Sequence, residues 1–455
     1  MIQTPPLADL HVHLGGCLDY RGCLGLIRAR ETPSWAPYEE AYLAAFGRPS
    51  SAQAIVERAR AGDASAVDDF RAIFEFADPD GGQFDRFQAK FGLIKVGVGL
   101  TERSWWELTE AETVAAFVDL EAHVHPAQVE QGLGLVETRL YLRGAPVHRA
   151  RAVLIALLRR CAEKRPEPRR QIVLSLSRQD PWPHWEMVQN VATGPLGAHL
   201  IGVDFCHVEE GFPPKGLADF FASLKAFNRA HPHRALALLY HVGESFDDKS
   251  IESAVRWVVE AAEAGADRLG HAIALGIDPR HFGPHRRTES VAERRDQIEY
   301  ESRHLRGLRA HGLSLHMEAL RAESAALERR PDDHRVEVVY DEARLDAVRA
   351  HQRFAAERVR ATSAVVEVCP TSNRRIAGLR DDALHPIHQF VAWDVPFVVA
   401  SDDPGLFGVS LSEELDYACA IVGARSLTRE ALISRSWRYR SEALVGRVAP
   451  GLNSD

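Results

Sequence analysis

Eight short runs of mostly apolar, strand-favouring residues recur along the chain: Leu7 to His13, Leu135 to Leu142, Gln171 to Ser177, Leu200 to Cys206, Ala237 to Val242, Arg268 to Ile273, Ala364 to Cys369 and Pro396 to Ser401. Most are apolar nearly throughout rather than alternating. Strands with that pattern are covered on both faces, as in a parallel sheet flanked by helices. The segments between them are rich in Ala, Leu, Arg and Glu and read as helices. Eight βα units predict an α/β fold, a (β/α)8 TIM barrel.

Two connections are too long for a plain barrel: residues 14–134 and 274–363. With both set aside, the remaining chain is close to the ~250 residues of a typical (β/α)8 barrel. Each follows the C-terminal end of a strand, so both are expected as helical insertions on the C-terminal face, where such barrels build their active sites. In the first, Phe84, Phe87 and Phe91 form a helical stripe, read as core packing ahead of a substrate wall. The second mixes dense charge of both signs and reads as a solvated helical hairpin or an oligomer contact. No repeat, low-complexity tract or linker-like stretch divides the chain, so residues 1–455 are taken as one decorated barrel domain.

Composition narrows the function. With 45% hydrophobic and 26% charged residues, the chain is that of a soluble globular protein. A formal charge of -9 gives no basic footprint for general nucleic-acid binding and favours a small-molecule substrate. The six cysteines form no C-x-x-C pair, so reduced thiols are expected rather than a disulfide framework or thiolate zinc site. The first strand begins too early for a signal peptide, and no apolar run approaches a membrane span. A cytoplasmic protein without a membrane partner is expected.

The candidate chemistry lies at strand ends. His11 and His13 are two apart on one strand, so both project from the same face. Alone they read equally as structural histidines. Downstream, however, Tyr240-His241-Val-Gly-Glu244, Leu269-Gly-His271 and Ala400-Ser-Asp402-Asp403-Pro404 place further polar groups at strand ends. His241 or His271 alone suits a hydrogen-bonded core histidine, and Asp402-Asp403 alone suits a turn or helix cap. In a barrel these ends surround one mouth, where His11, His13, His241 and Asp402 make a mixed nitrogen and oxygen shell suited to Zn2+. Two adjacent carboxylates at a buried strand end also call for a nearby cation.

As a set and in this order, His11-Val-His13, His241-Val-Gly-Glu244, Leu-Gly-His271, Glu367-Val-Cys-Pro-Thr-Ser-Asn373 and Ser401-Asp-Asp403-Pro404 resemble the adenosine deaminase family of the amidohydrolase superfamily. The similarity extends to Phe87-Gln-Ala-Lys-Phe91 and Val136-Glu-Thr-Arg139, with the second insertion as the main exception. It implies one Zn2+, or a related divalent ion, held by His11, His13, His241 and Asp402. It further implies that His271 orients a water and accepts its proton, that Glu244 protonates a purine ring nitrogen, and that Asp403 holds another. The implied reaction is hydrolytic deamination of adenosine or a related purine nucleoside or nucleotide, with release of ammonia.

The departures from the family fall on substrate-facing positions. Gly15 stands where an aspartate usually contacts the ribose 5′-hydroxyl, His207 where a glycine amide faces the purine, and Ala272 where a glycine follows the catalytic histidine. Glycine at position 15 removes a negative charge, so a substrate with a 5′-phosphate or another 5′ group becomes conceivable. The run Asp267 to Pro279 and the long insertion after it are also similar to larger bacterial deaminase-like proteins, some of them from phage-defence systems. That similarity leaves open a nucleic-acid-linked adenosine and a homo-oligomer. His207-Val-Glu209 matches half of the cytidine deaminase signature, but the P-C-x-x-C half is absent. Two other readings rank lower: a different amidohydrolase reaction, for which Leu200 to Cys206 lacks a bridging lysine, and a catalytically silent family member.

Overall fold

The structure is a computed structural model and describes residues 5–100, 103–163, 168–423 and 426–447. Among them, eight strands form one sheet in the order β1 (Leu7–His13), β2 (Leu133–Tyr141), β3 (Arg169–Ser175), β4 (Leu200–Asp204), β5 (Ala237–Val242), β6 (Arg268–His271), β9 (Val365–Val368) and β10 (Phe397–Val399). Every neighbouring pair is parallel. The barrel closes between its last and first strands just past β10. There Val12 bridges Asp402, with His13 N donating to Asp402 O at 3.0 Å and Asp402 N donating to His11 O at 2.8 Å. The expected (β/α)8 barrel is what forms. Its strands are buried almost without interruption, as their apolar sequences require.

Strand ends differ from the sequence expectation where the backbone leaves sheet geometry. β6 stops at His271 rather than Ile273 because His271 and Ala272 adopt φ of 62° and 46°. The chain after β10 turns in the same way, with Asp402 at φ 62°. These turns put the C-terminal strand residues at the barrel mouth.

The first insertion is helical throughout its described part. Its helix Phe84–Val98 buries Phe87, Leu93 and Ile94 and packs on the helices Ala36–Phe46 and Tyr20–Ala29. The second differs from a purely helical insertion. It includes an antiparallel pair, β7 (His285–Ser290) with β8 (Arg335–Tyr340), beside the helices Val291–Arg303 and Met317–Leu327. Its last helix, Glu342–Arg360, packs along Ile251–Ala264 as an ordinary barrel helix, so the decoration is narrower than residues 274–363. Among the described residues no helix is long and apolar enough to cross a membrane.

Candidate functional site

The ends of β1, β5, β6 and β10 bring His11, His13, His241, His271 and Asp402 together. The His11 ring centroid lies 5.4 Å from His13, 4.7 Å from His241 and 5.0 Å from His271. Asp402 Oδ1 lies 3.5 Å from His11 Nε2 and 3.3 Å from His13 Nε2. His271 Nε2 faces Glu244 Oε1 at 3.5 Å. The backbone is bent to achieve this. Of the five described non-glycine residues with positive φ, four (His207, His271, Ala272 and Asp402) belong to this mouth, where such strain is commonly stored at functional sites. Gly16 is required by proximity, since a Cβ there would fall 1.6 Å from Asp403 Oδ1.

Three histidines are oriented by buried acceptors. The Nδ1 of His11 meets Glu367 Oε2 at 2.8 Å, that of His241 meets Asp204 Oδ1 at 3.0 Å, and that of His271 meets Asn373 Oδ1 at 2.9 Å. With Nδ1–H donated outward, each Nε2 lone pair points to the centre. The Nε2 atoms of His11 and His241 are buried and have no hydrogen-bond partner. A buried polar atom left unpaired is costly, and a cation ringed by two such nitrogens, His13 and Asp402 would satisfy it. The donor set therefore fits a divalent ion of the nitrogen and oxygen-binding kind.

The charges agree with that fit. Burial lowers His11, aided by Arg139, and holds His241 well below its usual range against the pull of Asp204. Burial also works to lower His13, yet its hydrogen bond to Asp402 and the nearby Asp403 carry it up to about 9, a mark of negative charge that a cation would balance. For Asp402, burial is outweighed by its close approach to His11 and His13, which keeps the carboxyl well below the usual range. Burial pushes Asp403 up to about 8, with Asp402 adding to the rise. Burial likewise pushes Glu244 up to about 6, against the pull of His271. The site thus pairs one firmly ionised carboxylate with two whose proton affinity is raised.

A cavity of about 280 Å³ opens from this cluster and is lined by Glu244, Asp403, Gly15 and His207, with Phe84, Phe87 and Phe91 along one side. The phenylalanine stripe is thus a cavity wall as well as packing. Beside Gly15 the space for a side chain is filled, since a Cβ would meet Phe91 Cζ at 3.1 Å. His207 accepts a hydrogen bond at Nε2 from Arg143 Nη1 at 2.7 Å.

Sequence reasoning gave no role to Asp204, Glu209, Glu367 or Asn373. A signal existed for Glu367, a carboxylate in an otherwise apolar strand, which pairs at 2.5 Å with Arg139 and at 2.8 Å with Arg268. Glu209 accepts from the backbone N–H groups of Gly243 at 2.9 Å and Glu244 at 3.2 Å, and nothing in a sequence announces a backbone partner.

Fold and site together define a (β/α)8 barrel protein with a donor set that fits a divalent ion and two carboxyls of raised proton affinity at its C-terminal mouth. Residues 325–434 match the family model described as adenosine deaminase. A stretch of 63 residues is 40% identical to an aminodeoxyfutalosine deaminase of Acidothermus cellulolyticus, covering 14% of this chain and 18% of that protein. A second, over 58 residues, is 43% identical to an aminodeoxyfutalosine deaminase of Streptomyces coelicolor, covering 13% of this chain and 15% of that protein. The chain thus matches less than a fifth of the length of either relative. Among solved structures it is similar to an adenine deaminase from Arthrobacter aurescens, with 17% identity, 97% of each chain covered and a TM-score of 0.47.

Proposed function

We propose that the chain is a metal-dependent aminohydrolase that removes the exocyclic amine of an adenine-derived small molecule as ammonia. The observation that carries this reading is the pair of orphaned Nε2 atoms on His11 and His241, set beside Asp402 and opposite Glu244 and Asp403, whose carboxyls hold their protons to higher pH than usual. His11, His13, His241 and Asp402 would hold one divalent ion, for which Zn2+ suits the mixed nitrogen and oxygen set. When bound, such an ion acts as a Lewis acid and makes hydroxide available at neutral pH.

The chain's own residues supply the rest. His271, kept with its Nε2 inward by Asn373, accepts the proton of the attacking water. Glu244, whose side chain keeps 20% exposure towards the cavity, gives its proton to the ring nitrogen beside the attacked carbon. Addition there needs the ring polarised first, which is the work of a carboxyl whose proton affinity is raised towards neutral pH. Asp403, pushed up further, holds a second ring nitrogen by hydrogen bond. Gly15 and His207 then face the remainder of the substrate.

The matched relatives are aminodeoxyfutalosine deaminases, which supports an adenine-derived substrate without fixing which one. The deciding experiment is ammonia release across purine bases, nucleosides, nucleotides and short RNAs, with metal analysis of the same sample. Turnover of at least one adenine compound, with about one divalent ion per chain, is expected. Metal-free protein that neither takes up Zn2+ nor releases ammonia would overturn the reading.

A further inference from the structure

The second insertion reaches back to the barrel through one face of its hairpin, and that face meets one loop and the first turn of the helix after it. In the antiparallel pair, His285 lies opposite Tyr340, Arg287 opposite Val338 and Glu289 opposite Val336. These six residues turn inward while Arg286, Thr288, Glu337 and Val339 are exposed. What they cover is the connection from β5 to the helix Ile251–Ala264, residues 243–250, which carries Glu244. Arg287 Nη1 donates to Phe246 O at 2.9 Å, and its guanidinium lies 5.0 Å from the ring centroids of both Phe246 and Phe282. Glu289 Oε2 accepts from Ser250 N at 3.0 Å and Ser253 Oγ at 2.9 Å. Tyr340 Oη accepts from Ile251 N at 2.8 Å.

From the opposite side, Glu209 accepts from Gly243 N and Glu244 N. The loop is therefore held at its start by β4's following residues and along its length by the inserted hairpin. We propose that the β7–β8 hairpin is a positioning element for the reaction, fixing the 243–250 loop and through it the carboxyl of Glu244. The proposal rests on the reading of Glu244 as proton donor.

The physical case lies in how the hairpin uses its buried face. A surface decoration that only covered the barrel would bury apolar side chains. This one places an arginine and a wholly buried glutamate on main-chain groups of the loop, and a tyrosine hydroxyl on the first N–H of the helix that follows it. Hydrogen bonds to a buried carboxylate are among the stronger ones. The loop needs such support, since it begins at Gly243 with φ 66° and lies outside the barrel's strand ladder. Loops of this kind open most readily in a native protein, and loss of alignment of about 1 Å at a reacting group costs up to about 100-fold in rate.

The test uses the full chain and three substitutions, Arg287→Ala, Arg287→Lys and Tyr340→Phe, with kcat, KM, metal content and residue-level amide exchange measured for each. Arg287→Ala is expected to lower kcat about tenfold or more, with KM and metal content within about twofold of the parent, and to speed exchange at 243–250 but not in β1 or β9. Arg287→Lys, which keeps a donor and the charge, should restore most of kcat. Tyr340→Phe removes a single hydroxyl and serves if the alanine variant does not fold. An unchanged kcat, or unchanged exchange in the loop, overturns the proposal. Glu244→Gln run alongside separates the two readings. An active Glu244→Gln enzyme means the proton donor is misassigned, whereas an inactive one beside fully active hairpin variants sinks the hairpin's role alone. Without turnover in the parent, loop exchange by itself decides whether the hairpin fixes the loop.

Discussion

The Nδ1–H of His11 donates to Glu367 Oε2 at 2.8 Å, and the same buried carboxylate receives Arg139 and Arg268. Glu367 therefore sets the direction of a candidate ligand while sharing two buried arginines with Glu137 and Asp204. Replacing it with Gln keeps an acceptor for His11 but removes the charge. Metal affinity is expected to fall about 10-fold to 100-fold, the usual cost of losing an orienting carboxylate behind a histidine ligand. Competition with a chromogenic chelator measures it, and affinity equal to the parent's would show that Glu367 does not act through His11. Glu367→Ala should also destabilise the fold by about 3–5 kcal/mol in urea unfolding, because it breaks two wholly buried ion pairs at once.

Glu244→Gln isolates the proton donor. The amide is close in shape and lies outside the four-residue donor set, so metal content should be unchanged. Ammonia release should fall by about 10²-fold to 10⁴-fold, the range general acid catalysis supplies. A variant that keeps full activity would move the proton-donor role to another group.

Much of this architecture was legible before any coordinates. Parallel strands buried on both faces must be apolar nearly throughout, and that pattern located all eight. Their C-terminal ends lie at one mouth, so His11, His241, His271 and Asp402 could be brought together on paper from distant parts of the chain. The hairpin was not legible, because its inward positions include His285, Arg287 and Glu289, whose partners are main-chain groups and aromatic rings rather than an apolar core. A strand packed that way shows no alternation of apolar and polar residues. Glu209 escaped for the same reason, and its place in a half-matched deaminase signature pointed to the wrong chemistry. Nor could the sequence show that Phe91 fills the space beside Gly15, since that contact joins residues far apart in the chain.

Gly16 offers a sharp steric test of the site. A Cβ at this position would lie 1.6 Å from Asp403 Oδ1 and 2.6 Å from its Cβ, so the carboxyl must move if alanine is introduced. Gly16→Ala is expected to cost about 100-fold in kcat/KM through misplacement of Asp403. Gly25→Ala is the control. It lies within the helix Tyr20–Ala29 with nothing within 4 Å of the added methyl, and it should leave activity unchanged while raising stability by roughly 0.5–1 kcal/mol. Equal activity in the two variants would contradict the placement of Asp403 against the first loop.

Glu414 predicts a pH dependence of stability away from the candidate metal ligands. Burial pushes its carboxyl from 4.5 up to about 8, against a hydrogen bond from Thr371 N at 3.0 Å. Its Oε1 is buried without a partner. Between those two values the folded chain holds a proton that the unfolded chain has released, so stability falls as pH rises through the window. The slope due to this group is roughly 1 kcal/mol per pH unit, and the loss is complete above about pH 8. Glu414→Gln, which stays neutral in both states, should flatten the urea midpoint between pH 5 and pH 8 (about the span of the shift) relative to the parent. Parallel pH profiles for the two proteins would mean that Glu414 is ionised in the fold, with a cation or solvent reaching its second oxygen.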